Sequence, residues 1–346
     1  MKGEKVLITG GAGSIGSEIV KKALSEGTEE VIIFDIDEIR LFELSKMIND
    51  ERLKCFVVDV RNFRSVQRAF NQIGKINVIF HTAAMKHVIV CEENPIEAAS
   101  TNIIGTQNVV DAALRWDVPT SVLISTDKAV DPINVMGATK FIAEKIFLAT
   151  AQKCVDQNFS IVRFGNVANS RGSVVPILTE SLLRKKEIVI TNSDVTRFMM
   201  RIQDAVALIF KSSEISVGGE IFVLKMQAFK LGDLADVMIN YVAPRLGINP
   251  KEACIKTMGL IRGEKLHEKL FRRDELDKVV DLGGFYAIID PKTFPKHKKY
   301  LAYPNATKIV TSSQQAPRML PPKLKDLISE YLSTLDSKEF PKDALV

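Results

Sequence analysis

The sequence predicts an α/β protein in which a doubly wound parallel sheet carries a smaller, mixed α/β region. Three observations lead there. Short apolar runs alternate with amphipathic stretches over the first 165 residues, the signature of strands joined by crossover helices. Those runs lack polar alternation, as expected of strands covered on both faces. The first run also opens directly into Gly10-x-x-Gly13-x-x-Gly16 at the head of an amphipathic stretch, a turn that brings backbone close to a ligand phosphate.

Taken in order, strands are expected at residues 5–9, 30–34, 53–58, 78–82, 121–125 and 159–164. Helices are expected between them at 16–26, 37–47, 63–72, 95–113 and 135–151. The pattern then changes. Residues 165–175 are rich in Asn, Ser, Gly and Arg and read as loop. A helix at 178–184, a strand at 188–191, a helix at 202–213, a strand at 220–225 and an amphipathic stretch at 231–245 follow. Residues 246–320 are mixed and interrupted by proline, a helix is expected at 323–335, and the last ten residues read as a frayed end. Residues 1–172 and 196–226 are therefore assigned to a nucleotide-binding domain. Residues 173–195 and 227–320 are assigned to a substrate domain, and 321–346 to a C-terminal helix and tail.

Composition narrows the function. Of 346 residues, 46% are apolar and 26% charged, which suits a globular protein and excludes disorder, collagen or coiled coil as the main architecture. The net charge of +5 has no block of like charge behind it. The densest basic stretch, 292–299, reads as a solvated loop rather than a nucleic-acid patch. A small anionic ligand is the better match. Cys55, Cys91, Cys154 and Cys254 form no C-x-x-C pair, so neither a metal site nor a redox pair is expected, and a reducing cytoplasmic setting fits. No apolar run reaches 18 residues, so no membrane span is expected.

The glycine motif spans Gly10, Gly13, Ser14, Ile15 and Gly16. Strand before and helix after make it a dinucleotide site, with helix N–H groups facing a pyrophosphate. Asp35 closes the second strand 19 residues beyond Gly16. A carboxylate there accepts both ribose hydroxyls and repels a 2′-phosphate, which favours NAD over NADP. Arg40 could moderate that preference, and Asp35 could instead cap the following helix. Asp59 and Val60 follow the third strand, where the carboxylate could meet the adenine amino group. Ala83 and Ala84 follow the fourth, where small side chains leave room for the cofactor.

The fifth strand ends in Ser125-Thr126-Asp127-Lys128, and Asn134-Val135-Met136-Gly137-Ala138-Thr139-Lys140 opens the next helix. Here the sequence resembles the extended short-chain dehydrogenase/reductase family, from residue 4 to about 285. Members usually carry Tyr-x-x-x-Lys, the Tyr acting as base toward a substrate hydroxyl. This chain has Lys140 with Met136 four residues before it, and none of its five Tyr has Lys at that spacing. Methionine cannot exchange a proton. The branch sharing this substitution is the capsular-polysaccharide type of UDP-N-acetylglucosamine 4,6-dehydratase. Local segments are similar to it: Ala83-Ala84-Met85-Lys86-His87, Thr126-Asp127-Lys128, Arg163-Phe164-Gly165-Asn166, Ser170-Arg171-Gly172-Ser173-Val174, Thr196-Arg197-Phe198 and Arg262-Gly263-Glu264-Lys265.

The resemblance implies a Rossmann domain and chemistry in which NAD, tightly bound, oxidises C4 of the sugar. Water is then eliminated across C5 and C6, and C6 is reduced. Lys128 is implied as the C5 base and Asp127 as the acid at C6, with proton exchange between them setting both states. Thr126 would hold the C4 oxygen and Lys140 the nicotinamide ribose. Lys86, Asn166, Arg171, Val174, Arg197, Arg262 and Glu264 are implied at the substrate, the arginines on the diphosphate and Glu264 on the nucleotide ribose. His87 reads as packed or hydrogen-bonded rather than catalytic. A homo-oligomer is implied by resemblance only. Two other functions stay open: a UDP-sugar 4-epimerase, and a non-catalytic NAD-binding sensor.

Overall fold

The computed structural model describes residues 1–336. The chain opens with strand β1 (Lys5–Thr9), helix α1 (Ser14–Ser25), β2 (Glu30–Asp35), α2 (Glu38–Ile48), β3 (Leu53–Val57), α3 (Phe63–Ile73) and β4 (Val78–His81). It continues through α4 (Val88–Glu93), α5 (Pro95–Ala99), a π turn (Ser100–Ile104), α6 (Gly105–Arg115), β5 (Thr120–Thr126), a 3-10 turn (Asp127–Ala129), α7 (Val135–Lys153) and β6 (Asn158–Phe164). Side-chain caps set several helix starts. Asp37 accepts from Arg40 N at 3.1 Å for α2, Asn62 from Ser65 N at 3.2 Å for α3, and Asn134 from Gly137 N at 2.7 Å for α7. Asp37, not Asp35, is thus the cap of α2.

Beyond β6 come β7 (Asn166–Val167), α8 (Val174–Lys185), β8 (Glu187–Ile190), β9 (Thr196–Met200), α9 (Ile202–Ile215), β10 (Ile221–Leu224) and β11 (Gln227–Lys230). Then follow α10 (Leu231–Val237), a second π turn (Met238–Val242), α11 (Ala243–Arg245), β12 (Cys254–Thr257), β13 (Val279–Asp281), β14 (Phe285–Ile288) and α12 (Pro321–Asp336). No helix among the described residues is long and apolar enough to cross a membrane.

The chain divides into two compact units. The first comprises residues 1–164, 203–225 and 270–309. Its nine-stranded sheet runs β13-β14-β10-β6-β5-β4-β1-β2-β3. All neighbours from β10 to β3 are parallel, whereas β14 and β13 join antiparallel. This is the Rossmann arrangement, with strand order reversing between β1 and β4, the place where ligands of such sheets bind. Val6, Leu7, Ile8, Val31, Ile32 and Ile33 are wholly buried, which is why their sequence lacks alternation. The second unit comprises residues 165–202 and 226–269 and the described residues from Val310 onward. It holds two small sheets, β11-β9-β7 and β12-β8, around a core that includes Leu182, Ile188, Phe229, Leu234, Met238 and Leu324.

Several expectations need correction. The helix expected at 95–113 is two helices joined by the π turn, and the amphipathic stretch at 231–245 folds as α10, the second π turn and α11. Residues 196–200 and 227–230 are strands pairing antiparallel with each other; each is short and takes its order from a distant partner. Residues 165–172 and 196–202 fall in the second unit and 270–309 in the first, because β14 pairs along β10 with Ile221 opposite Ile288. The basic stretch at 292–299 is largely exposed, as expected, but it is not a loop. Most of it lies in a 3-10 helix (Pro295–Ala302) that buries His297 and Tyr300. The Tyr300 hydroxyl donates to Ile215 O at 2.8 Å and to Glu220 Oε1 at 2.9 Å, while Lys296 and Lys299 donate to the carbonyls of Val155 and Ile215. The expected frayed tail lies outside the described residues.

One close approach fixes the turn after β5. At Gly137, in the first turn of α7, a Cβ would collide with the carbonyl oxygen of Lys128. Gly137→Ala is expected to force α7 away from the Asp127–Ala129 turn and to lower stability by about 1–3 kcal/mol, measured as the shift of the denaturant midpoint.

Candidate active site

The glycine turn folds as its composition requires. Gly10 has φ +67, and Gly10 N donates to Phe34 O at 2.7 Å. Gly13 is the N-cap of α1. A Cβ at Gly13 would lie 3.0 Å from Gly10 O, and one at Gly16 would collide with that same oxygen. No side chain caps α1 and no acid occupies its first turn, so the positive end of the helix is open to an anion. Asp35 sits against this turn, its Oδ2 accepting from Ala12 N at 3.0 Å and its Oδ1 from Asp37 N at 3.2 Å. Arg40 is drawn to Asp37 instead, at 3.0 Å. A glycine cradle with no room for side chains, an open helix N-terminus and a carboxylate at the end of β2 fit a dinucleotide. Asp59 is held by Arg61 through both carboxylate oxygens, whose hydrogen bonds keep it below the usual carboxylate range. Val60 is buried, and its carbonyl accepts from Asn108 at 2.7 Å. Ala83 abuts the turn, its Cα 2.8 Å from where a Gly10 Cβ would stand, and Ala84 is exposed.

Beneath the turn lies a polar chain not anticipated from the sequence. His81, at the end of β4, is fully buried between Thr9 Oγ1 at 2.7 Å from Nδ1 and Thr106 Oγ1 at 3.0 Å from Nε2. Burial, then the charge of Lys140, lowers its pKa to about 3. The imidazole is neutral, and its tautomer follows from its neighbours. The Thr106 hydroxyl donates to Asn102 O at 2.7 Å, so Nε2–H donates to Thr106 and Nδ1 accepts from Thr9. Asn102 in turn brackets Met85, accepting from its N at 2.8 Å and donating to its O at 3.0 Å, and donates to Thr139 Oγ1 at 2.9 Å. The segment Ala83–His87 is thereby tied to α7. His87 itself is exposed rather than packed, because it stands at the N-cap of the short α4. Lys86 is exposed as well.

The structure brings Thr126, Asp127 and Lys128 together at the end of β5. Asp127 Oδ1 accepts from Thr126 Oγ1 and from Lys128 Nζ, both at 3.0 Å. The Asp127 side chain is 0% exposed and that of Lys128 19%. Asp127 Oδ2 is buried and has no hydrogen-bond partner. Lys128 is the member of the pair that reaches solvent, with Asp127 behind it. Lys140 is buried and donates to Ile124 O at 2.7 Å; desolvation lowers its pKa to about 8, against the pull of Glu144. Met136 is buried in an apolar cluster with Cys91 and Ala98. No proton-exchanging group replaces the usual Tyr at that position.

In the second unit, Arg197 and Glu264 are joined to each other. Arg197 Nη2 donates to Glu264 Oε1 at 2.8 Å, and its Nη1 to Thr196 O at 2.8 Å and Leu266 O at 3.3 Å. Glu264 Oε1 also accepts from Thr191 Oγ1 at 3.1 Å. Asn166 lies in β7 beside β9, Val174 opens α8, and Arg171 and Arg262 are exposed.

Comparison with known proteins agrees with this architecture. Residues 6–290 match the model of the polysaccharide biosynthesis protein family. The chain belongs to this family. Among relatives of this polysaccharide biosynthesis protein, an uncharacterized membrane protein of Methanocaldococcus jannaschii is 41% identical over 331 residues, 95% of this chain and 96% of that protein. A UDP-N-acetylglucosamine 4,6-dehydratase (inverting) of Campylobacter jejuni is 37% identical over 83% of each chain. A Rickettsia rickettsii protein named UDP-glucose 4-epimerase is 37% identical over 82% of each. The solved structure of Pen from Bacillus thuringiensis is 35% identical, with TM-score 0.87 over 96% of this chain and 98% of that one.

The buried neutral His81 carries a pH signature. Its pKa is about 3 when folded, against 6.5 for the free group. The unfolded chain therefore binds the extra proton between those values, and the stabilisation is intact above the upper value and lost as pH falls toward the lower. The slope reaches about 1.4 kcal/mol per pH unit. His81→Gln is expected to flatten this limb, seen as a wild-type-minus-variant stability difference that shrinks on acidification.

Proposed function

We propose that the protein is a nucleotide-sugar 4,6-dehydratase that uses NAD and acts on UDP-N-acetylglucosamine. The observation that carries this reading is the Thr126-Asp127-Lys128 cluster standing opposite a buried Met136. It offers a transferable proton where the ordinary dehydrogenase base is missing. The names of the Campylobacter relatives support the same substrate.

The residues that would hold NAD are Gly10, Gly13, Ser14, Ile15 and Gly16 at the pyrophosphate, Asp35 at the adenine ribose, and Asp59 and Val60 beside the adenine. Ala83 and Ala84 would flank it, with Lys140 at the nicotinamide ribose. When bound, NAD supplies a reversible two-electron partner that oxidises C4 of the sugar and later reduces C6.

The chain's own groups handle the protons. Along the 3.0 Å contact, a proton passes from Lys128 to Asp127, leaving a neutral amine and a neutral acid. The amine takes the C5 proton, which a neighbouring ketone makes acidic. The ammonium so formed gives a proton to the C6 oxygen, the C6–O bond breaks, and water leaves as the C5–C6 double bond forms. Asp127 then returns its proton to Lys128. Thr126 holds the C4 oxygen, whose hydroxyl proton leaves to solvent as C4 is oxidised; C5 regains a proton from the Lys128 ammonium as C6 is reduced, and Lys128, which reaches solvent, is reprotonated from there. Arg197 is aimed by Glu264 and serves the substrate diphosphate with Arg171 and Arg262, while Lys86, Asn166 and Val174 contact the sugar nucleotide. Glu264, engaged by Arg197 and Thr191, acts first on Arg197 and reaches the nucleotide ribose from there.

The second reading, a UDP-sugar 4-epimerase, is favoured by the names of the Rickettsia relatives. One experiment separates the two. Protein incubated with UDP-N-acetylglucosamine in D2O is followed by proton NMR. A new 6-methyl signal with deuterium at C5 is the expected result, and the ring couplings assign C5 as retained or inverted. A galacto-configured product without a methyl signal would establish the epimerase instead. Asp127→Asn, which cannot take the Lys128 proton, is expected to slow methyl formation by about 10²–10⁴-fold while bound NAD, assayed after denaturation, is unchanged. Asp35→Ser is expected to narrow the gap between NAD and NADP dissociation constants, read by fluorescence titration.

A further inference from the structure

Behind the fifth strand lies a cluster of charges to which the dehydration chemistry gives no part. Arg163, on β6, is wholly buried and stands beside Ser125 in the β5–β6 register. Its Nε and Nη2 donate to Glu144 Oε1 at 3.1 Å and Oε2 at 2.7 Å. Its Nη1 donates to Glu275 Oε2 at 2.9 Å and Leu270 O at 2.8 Å. Arg272 closes the group, with Nη2 2.6 Å from Glu275 Oε1 and its guanidinium 5.3 Å from the Phe141 ring. Burial pushes the Glu144 carboxyl up, and Arg163, Ser125 and Arg272 more than reverse this, leaving it below the usual carboxylate range.

Removing four charges from water costs several kcal/mol per ion, and well-packed apolar groups of similar volume are often as stable. What the ions add here is direction. Glu144 Oε1 accepts the Ser125 hydroxyl at 2.6 Å. One turn earlier on α7, Lys140 Nζ donates to Ile124 O at 2.7 Å. Ile124 and Ser125 are the two residues before Thr126. The end of β5 is therefore held by two side chains of one helix, at the point where the chain leaves the sheet to form the Thr126-Asp127-Lys128 cluster.

We propose that Glu144 is a positioning residue of the dehydration site. It orients the catalytic turn through Ser125 and stands one turn from Lys140 on the same helix face, with Arg163 and Glu275 fixing its own carboxylate. This rests on the dehydratase reading. The groups that face Lys140 are Glu144 on its own helix and His81 on β4, the latter neutral.

Ser125→Ala cuts the link to the turn and leaves the ion cluster whole. It is expected to lower kcat about tenfold with KM unchanged and to shift the melting temperature little. Glu144→Gln removes the charge that raises the Lys140 pKa, so the loss of NAD affinity that accompanies deprotonation of Lys140 is expected at lower pH than in the wild type. Glu144→Asp, which restores the charge, should recover the position of that limb. NAD affinity is measured by titration and kcat by the 6-methyl NMR signal. Wild-type kcat in Ser125→Ala, together with an unmoved limb in a Glu144→Gln protein that merely melts earlier, would overturn the proposal. A wild type that binds NAD yet forms no methyl product would overturn the dehydratase reading and the kcat arm with it. The affinity arm would still decide whether Glu144 governs Lys140.

Discussion

Arg163 cannot shed its charge, and it has no access to water. The first unit is organised around that constraint. An uncompensated guanidinium in such a place is untenable, so carboxylates must come to it from wherever the chain can supply them. Glu144 arrives on α7 and Glu275 on the 3-10 segment Arg273–Lys278. The second of these recruits a stretch 112 residues away in sequence. It helps explain why the chain, having built part of the second unit, returns at Leu270 to complete the first sheet with β13 and β14.

Neutral and charged polar groups share this interior under different rules. His81 is accommodated by losing its charge and by having each nitrogen matched to a threonine whose role is already settled. Arg163 is accommodated by being paired on both sides. Lys140 lies between these extremes, buried and bonded to one carbonyl, with Glu144 as its counter-charge. The Asp127–Lys128 pair differs again, since one partner is sealed and the other reaches solvent. That asymmetry suits a proton that must be stored on one side and delivered on the other.

Much of the first unit was legible from the sequence because its signals are local. Unbroken apolar runs, the glycine turn and the acid after β2 all act within a few residues of themselves. The capping asparagines and Asp37 are equally local, although Asp35 and Asp37 could not be told apart as caps without coordinates. What was not legible depends on distant partners. Strands β9 and β11 are short, and their order comes from pairing with each other. The basic stretch at 292–299 reads as loop because four lysines dominate its composition, and those lysines are exposed, yet His297 within it and Tyr300 just beyond it are buried and anchor it as a 3-10 helix. Glu144 stands four residues after Lys140, which places both on one helix face, but only the position of Arg163 on the neighbouring strand gives the carboxylate its meaning.

The π turn between α5 and α6 has a consequence for how this segment can change. It is closed by Gly105 N on Ser100 O, five residues back, and so accommodates one residue more than a regular α-helical turn. Removing one residue inside it would restore regular hydrogen bonding and leave the flanking helices on the faces they already occupy, with Ala98 on one side and Val109 on the other still buried. The loss would fall elsewhere. Asn102 sits within the widened turn and brackets Met85, and its carbonyl lies four residues before the Thr106 hydroxyl that settles the His81 tautomer. A shortened chain would displace Asn102 or break that spacing. The extra residue therefore serves the polar chain rather than the packing, and a deletion that makes the helix more regular would release the loop that the helix holds.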